Sequence, residues 1–206
     1  MVTNKGRVVI IHGVKFRQKD KDNLRRLATG FRAAGFCVTI PTYGYLHPVI
    51  AGLIVRIDRR IADTMAGFIR NDDILVGHSN GATITHMITE QVHVRGCVLI
   101  NPALDSHLTP NAGFVHVYYN AGDWLTRLSA LIPHHPWGCM GAAGYTGSSA
   151  RVTNFDQNMT PGVPALHGHS AVFERGNIRP WSRFMADRCV KELEKLPATR
   201  WSNCHD

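Results

Sequence analysis

The chain has 206 residues, 44% of them hydrophobic, which suits one α/β domain spanning 1–206 with a sizeable core and leaves no room for two full domains. Its formal net charge of +8 admits an anionic partner, yet the cations are spread along the chain, so a solvated basic surface is the plainer reading. No basic motif is interleaved with aromatics, which argues against a nucleic-acid binder.

The elements alternate along the chain. Residues 7–11, RVVII, are β-branched and run into His12-Gly13, so they predict a buried strand. From Asp22 the apolar positions Leu24, Leu27, Ala28, Phe31 and Ala34 recur at helical spacing, with Gly35 placed for a C-terminal cap. Residues 36–40, FCVTI, predict a second strand ended by Pro41. After Pro48, Ile50, Leu53, Ile54, Ile57, Ile61, Met65, Phe68 and Ile69 hold one helical face over about five turns. Residues 74–76 predict the third strand, 81–91 a helix, 96–100 the fourth strand, 114–119 the fifth and 151–155 a weaker sixth. Trp181, Phe184, Met185, Cys189, Leu193 and Leu196 then make a final amphipathic helix, stopped by Pro197.

Strands that are apolar throughout and separated by helices predict a three-layer αβα sandwich around a mostly parallel sheet of about six strands. Right-handed crossovers put the strand C-termini along one edge, where such sheets bind ligands. Two stretches interrupt the alternation, 124–149 and 157–179, and loops of that length are usually functional or mobile.

The sequence Gly77-His78-Ser79-Asn80-Gly81 fits G-x-S-x-G. Alone the pattern is weak, but here it joins an apolar strand to a helix. A sharp strand-to-helix turn strains the serine backbone, and glycines on both sides remove the side chains that would clash. The hydroxyl is then held at the sheet edge, above a helix N-terminus whose dipole favours developing negative charge.

In this motif and its setting the chain resembles the α/β-hydrolase superfamily, over nearly its whole length from Arg7 to the last helix, and especially the compact branch without a cap. The resemblance implies nucleophile, acid and histidine in that order along the chain. Ser79 is then the nucleophile. The acid is Asp123, after the fifth strand, with Asp105 and Asp156 as alternatives. The histidine is His169, just before a small residue and an apolar patch, with His167 competing. By the same resemblance the oxyanion hole is formed by the backbone N–H groups of Asn80 and of Val14, in the segment His12-Gly13-Val14. His12, Tyr43 and His78 are candidates for the pocket wall, with bracing of the loop the other role open to His12. Tyr45 and His47 are further pocket candidates.

The activity so implied is a serine hydrolase cleaving carboxylic esters or thioesters through an acyl-enzyme, with acyl transfer as a variant. The rival of another class is a hydrolase-like binding module that does not turn over. No cofactor is required. Only residues 101–113 separate the fourth strand from the fifth, too few for a separate cap, so an open site is expected, suiting a bulky or polymer-attached ester better than a small enclosed metabolite. The substrate expected is an ester-bearing small molecule or a polymer-attached ester. Nothing in the sequence sets the oligomeric state.

Other signals are quieter. The first apolar run is too short for a signal peptide or a span, which needs about 20 apolar residues, so a soluble, cytoplasmic protein is expected. Five cysteines without a CxxC pair argue against a disulfide framework or a thiolate zinc site, and Cys37 and Cys97 read as buried thiols. His134-His135 has no carboxylate or cysteine pair nearby to complete a metal site. The basic loop 15–21 follows the expected oxyanion segment and is a candidate rim for an anionic substrate, or simply a solvated loop.

Overall fold

A computed structural model describes residues 5–13, 18–43, 51–131 and 137–195. The elements run β1 (Arg7–Ile11), α1 (Gln18–Ala33), β2 (Cys37–Thr39), α2 (Ala51–Ala66), β3 (Ile74–His78), α3 (Asn80–Thr89), β4 (Val94–Ile100), β5 (Ala112–Tyr119), α4 (Trp124–Ser129), α5 (Met140–Ala143), β6 (Val152–Asp156), a 3₁₀ turn (Ala171–Phe173) and α6 (Ile178–Lys195). Leu196 and Pro197 lie outside the described residues, and α6 starts three residues before Trp181 with Pro180 in its first turn, where a missing N–H costs nothing.

The six strands form one sheet in the order β2-β1-β3-β4-β5-β6, and every pairing is parallel. Alternation along each strand divides the core in two. Val8, Ile10, Ile74, Val76, Val98 and Ile100 face α1 and α6, where Leu27, Phe31, Trp181 and Met185 are buried. Val9, Ile11, Leu75, Cys97 and Leu99 face α2 and α3, where Ile61, Met65, Ile84, Met87 and Ile88 are buried. These are the three layers.

The chain winds outward from β1 to β2, then crosses back to place β3 on the other side of β1. The order reverses there, and the crevice beyond the carboxyl ends of β1 and β3 is where such a sheet binds its ligand. His12-Gly13 follows β1 and Ser79 follows β3, so both stand at that reversal.

The connection between β4 and β5 contains no helix or strand. Stretch 124–149 instead carries two short helices, α4 and α5, on either side of residues that are not described. Among the described residues no helix is long and apolar enough to cross a membrane. Cys97 is a buried thiol, but Cys37 is half-buried and disulfide-bonded, contrary to the reading of its apolar run.

Candidate active site

Ser79 sits at the join of β3 and α3 with φ 55° and ψ −126°, a conformation that is strained for any residue with a side chain. The two flanking glycines make it possible. A Cβ on Gly77 would come within 2.7 Å of Ala82 Cα and Gly81 O, and one on Gly81 would press into Ile11 O and lie 2.8 Å from His12 O. The turn is therefore as tight as backbone allows, and it pushes the serine hydroxyl out of the sheet edge.

Three side chains from three loops meet there. The Ser79 hydroxyl donates to His169 Nε2 at 2.8 Å, and His169 Nδ1 donates to Asp123 Oδ2 at 2.8 Å. Asp123 is fully buried, whereas Ser79 and His169 are partly exposed. A proton on Nδ1 leaves Nε2 bare to accept from serine, which is the tautomer a general base needs.

Asp123 is held by more than the histidine. Its Oδ1 accepts from Thr126 N at 3.1 Å, so it caps α4, and its Oδ2 accepts from Asn101 Nδ2 at 3.2 Å. Burial favours its protonated form, but the hydrogen bond and charge of His169, with the Thr126 and Asn101 donors, outweigh it and lower its pKa below the ordinary carboxylate value. The carboxylate stays ionised.

The competing acids and histidine are elsewhere. Asp105 is exposed and accepts from His107 N, Asp156 accepts from Asn158 N at the end of β6, and His167 is exposed. Gly168, with φ 105°, turns the chain between the two histidines.

His78 supports His169 from below. Its Nε2 donates to the His169 carbonyl at 3.2 Å, and its ring lies edge-on to Phe173 with centroids 4.7 Å apart. Burial, then the neighbouring His169, pushes its pKa down to about 3, so it is a neutral donor. It meets the histidine loop and is placed as a brace for it.

His12 and Tyr43 brace the other side. His12 Nδ1 donates to Gly13 O at 2.9 Å, its ring stacks on Tyr43 at 3.8 Å, and the Tyr43 hydroxyl donates to the His12 carbonyl. A Cβ on Gly13 would lie 3.2 Å from Ser79 Cβ and 3.6 Å from Asn80 N, so this glycine keeps the space above the serine clear. Val14, Tyr45, His47 and His134-His135 lie outside the described residues, as does 15–17 of the basic loop.

Asn80 opens α3, where a backbone N–H has no partner within the helix. The carbonyl of the same peptide unit, on Ser79, accepts from both Ala82 N and Ala103 N. Since C=O and N–H of a trans peptide point oppositely, the free N–H is turned away from those donors.

Several contributors carry no sequence signature. Asn101, buried at the end of β4 with φ 43°, accepts from Gln157 Nε2 while donating to Asp123. Asn120 Nδ2 donates to Leu166 O, tying the acid loop to the histidine loop. Asp58, on α2, accepts from Asn80 Nδ2 at 3.0 Å, and burial pushes its carboxyl up to about 7 against that hydrogen bond.

No protein-family model matches the chain and no curated protein matches it by sequence. Solved structures do match. The chain is similar to an extracellular α/β-hydrolase from a Paenibacillus species, 15% identical, over 91% of this chain and 98% of that one, with a TM-score of 0.52. A monoacylglycerol lipase from Paleococcus ferrophilus matches at 13% identity, over 91% and 95% of the two chains, with a TM-score of 0.54. An α/β-hydrolase enzyme from the metagenome of Mar Chica lagoon sediments matches at 14% identity, over 90% and 91%, also with a TM-score of 0.54. The chain has the α/β-hydrolase fold, as the resemblance around Ser79 implied.

Proposed function

We propose that the protein is a serine hydrolase that cleaves carboxylic esters or thioesters through an acyl-enzyme, with Ser79 as nucleophile, His169 as general base and acid, and Asp123 as the carboxylate that orients it. The observation carrying this is the unbroken chain of two 2.8 Å hydrogen bonds from Ser79 through His169 to Asp123, ending on a strained and partly exposed serine. A binding module would have no need of that alignment.

In the proposed reaction His169 Nε2 takes the hydroxyl proton as Ser79 Oγ attacks the acyl carbon. The carbonyl π-electrons move onto oxygen, and the oxyanion lies against the Asn80 N–H, with Val14 N–H the proposed second donor. Asp123 stabilises the imidazolium. Collapse expels the alkoxide or thiolate, which takes the proton from His169, and water then repeats the sequence to release the acid and restore Ser79. Every proton moves between serine, histidine, leaving group and water, so the scheme needs no cofactor.

The partial exposure of Ser79 and His169 favours an open site, suited to a bulky or polymer-attached ester. The name of one structural neighbour, a monoacylglycerol lipase, fits an ester substrate. His12, Tyr43 and His78 enter the proposal as braces around the site.

Labelling with a fluorophosphonate probe tests the proposal, comparing the native chain with Ser79→Ala and His169→Ala. Labelling of the native protein alone is the expected result. A well-folded native chain that takes up no probe would instead point to a hydrolase-like binding module.

A further inference from the structure

The Asn80 side chain is clamped at both ends of its amide. Its Nδ2 donates to Asp58 Oδ1 at 3.0 Å, from α2, and its Oδ1 accepts from Trp137 Nε1 at 2.5 Å, from the segment that leads into α5. Asn80 is 3% exposed and Asp58 is fully buried, so neither side chain is available to a substrate in solution. The hydroxyl, imidazole and carboxylate of the proposed reaction make no use of this cluster.

The backbone explains why a clamp is needed at this position. The peptide joining Ser79 to Asn80 lies at the first turn of α3, where its N–H has no helical partner, and it follows a residue held at φ 55°. Two amides fix its carbonyl, those of Ala82 and Ala103. Its other end is carried by Asn80, whose side chain is a further handle on the same peptide unit. Asp58 and Trp137 hold that handle from two separate parts of the chain.

We infer that Asp58 and Trp137 are positioning residues, which grip the Asn80 side chain so that its backbone N–H points at the oxygen on which negative charge develops. This rests on the proposed role of Ser79 as nucleophile. Neither residue touches the reacting atoms; each acts through Asn80. The grip matters in the transition state and not in the ground state, because a preorganised donor is worth most where charge appears. It also links the geometry of the serine turn to segment 137–143, whose α5 packs against Asp123 through Gly141.

The test uses the full chain and two readouts, the rate of fluorophosphonate labelling and the kcat and KM for p-nitrophenyl butyrate. Asp58→Ala removes the acceptor, Asp58→Asn removes the charge but keeps an acceptor oxygen, and Trp137→Phe keeps an aromatic ring but removes the indole donor. Asp58→Ala and Trp137→Phe are each expected to lower kcat and the labelling rate about tenfold, the effect of one hydrogen bond felt in the transition state, with KM within about twofold of native. Asp58→Asn is expected to recover most of the loss. Melting temperatures accompany each variant, and Trp137→Phe decides the matter if Asp58→Ala does not fold.

Native labelling rates in folded Asp58→Ala and Trp137→Phe would overturn the inference while leaving the serine-hydrolase reading intact. So would an Asp58→Asn variant as slow as Asp58→Ala, since charge and not the grip would then be at work, or a loss confined to KM. Absence of labelling in the native chain would remove the reading and the inference together.

Discussion

Asn101 and His169 donate to the same oxygen, Oδ2 of Asp123, at 3.2 and 2.8 Å. The carboxylate is thus held between two strand ends, β4 through Asn101 and β5 through its own loop, and Gln157 after β6 fixes Asn101 in turn at 2.9 Å. A buried acid ionises readily only when donors compensate for the lost water. Asn101 is one of those donors, so it helps decide whether Asp123 can support an imidazolium.

Replacing Asn101 by Asp reverses that contribution at constant shape. Aspartate tolerates the left-handed backbone at this position almost as well as asparagine, so the strand end is expected to keep its form. Two carboxylates would then stand about 3 Å apart, and like charges at that distance raise the pKa of one of them strongly. The acid limb of the pH–rate profile for ester hydrolysis should move up by about one unit or more, so that the rate falls about tenfold below native on the acid side of that limb and less near pH 7. An unmoved acid limb would show that Asp123 is not the carboxylate that counts.

Gly81 is limited by space, since a Cβ there meets the carbonyl oxygens of both Ile11 and His12. Neither is the far end of a flexible side chain, so Gly81→Ala must move β1 away from α3 or open the turn at Ser79. A cost of about 1–3 kcal/mol is expected for such overpacking, or roughly 2–4 °C in melting temperature per kcal/mol at this chain length. Labelling of Ser79 should fall with it. A variant as stable and as reactive as the native chain would mean that the turn is looser than its geometry.

The strands and long helices were legible because their apolar residues face one core at a constant period, as Leu24, Leu27, Ala28 and Phe31 do on α1. The short helix α4 was not, since Trp124 and Leu128 are 64% and 51% exposed and set up no core-facing pattern. Ser79 was legible through two glycines that only a tight turn requires. The sequence could rank His169 above His167 only by analogy, and the separation between them is made in space, by the turn at Gly168. Asn101, Asp58 and Trp137 were invisible for a different reason. Their partners lie 22, 22 and 57 residues away, and a single polar side chain announces nothing until the fold brings its partner to it.

The buried histidine on β5 gives the fold a dependence on pH that is separate from the site. His116 is 1% exposed, and burial pushes its pKa down to about 4, with Glu192 pulling the other way. In the unfolded chain a histidine titrates near 6.5, so between about pH 6.5 and pH 4 the unfolded state binds the extra proton and stability falls as pH falls. His116→Phe removes the group. The native chain is expected to lose roughly 2 kcal/mol more than this variant between pH 7 and pH 5. Equal losses in thermal unfolding at the two pH values would show that His116 takes up its proton in the folded state.

Asp123 carries two duties that different substitutions separate. One oxygen accepts from His169 and the other caps α4 through Thr126 N, so the residue serves both chemistry and local stability. Asp123→Asn keeps an oxygen for the cap but presents an amide to the imidazole, favouring the tautomer that turns an N–H toward Ser79. A loss of about 10⁴ in kcat is expected, with a fall in melting temperature that comes from the Asn101 donor left facing an amide and not from the cap. Asp123→Ala removes the cap as well and should lower stability by about 1 kcal/mol beyond the loss of rate. Rates of fluorophosphonate labelling and thermal unfolding, read on both variants, check the two duties independently. If Asp123→Asn labelled as fast as the native chain while Asp123→Ala melted lower, the residue would be a helix cap alone, and the hydrogen bond to His169 would have no part in activating the serine.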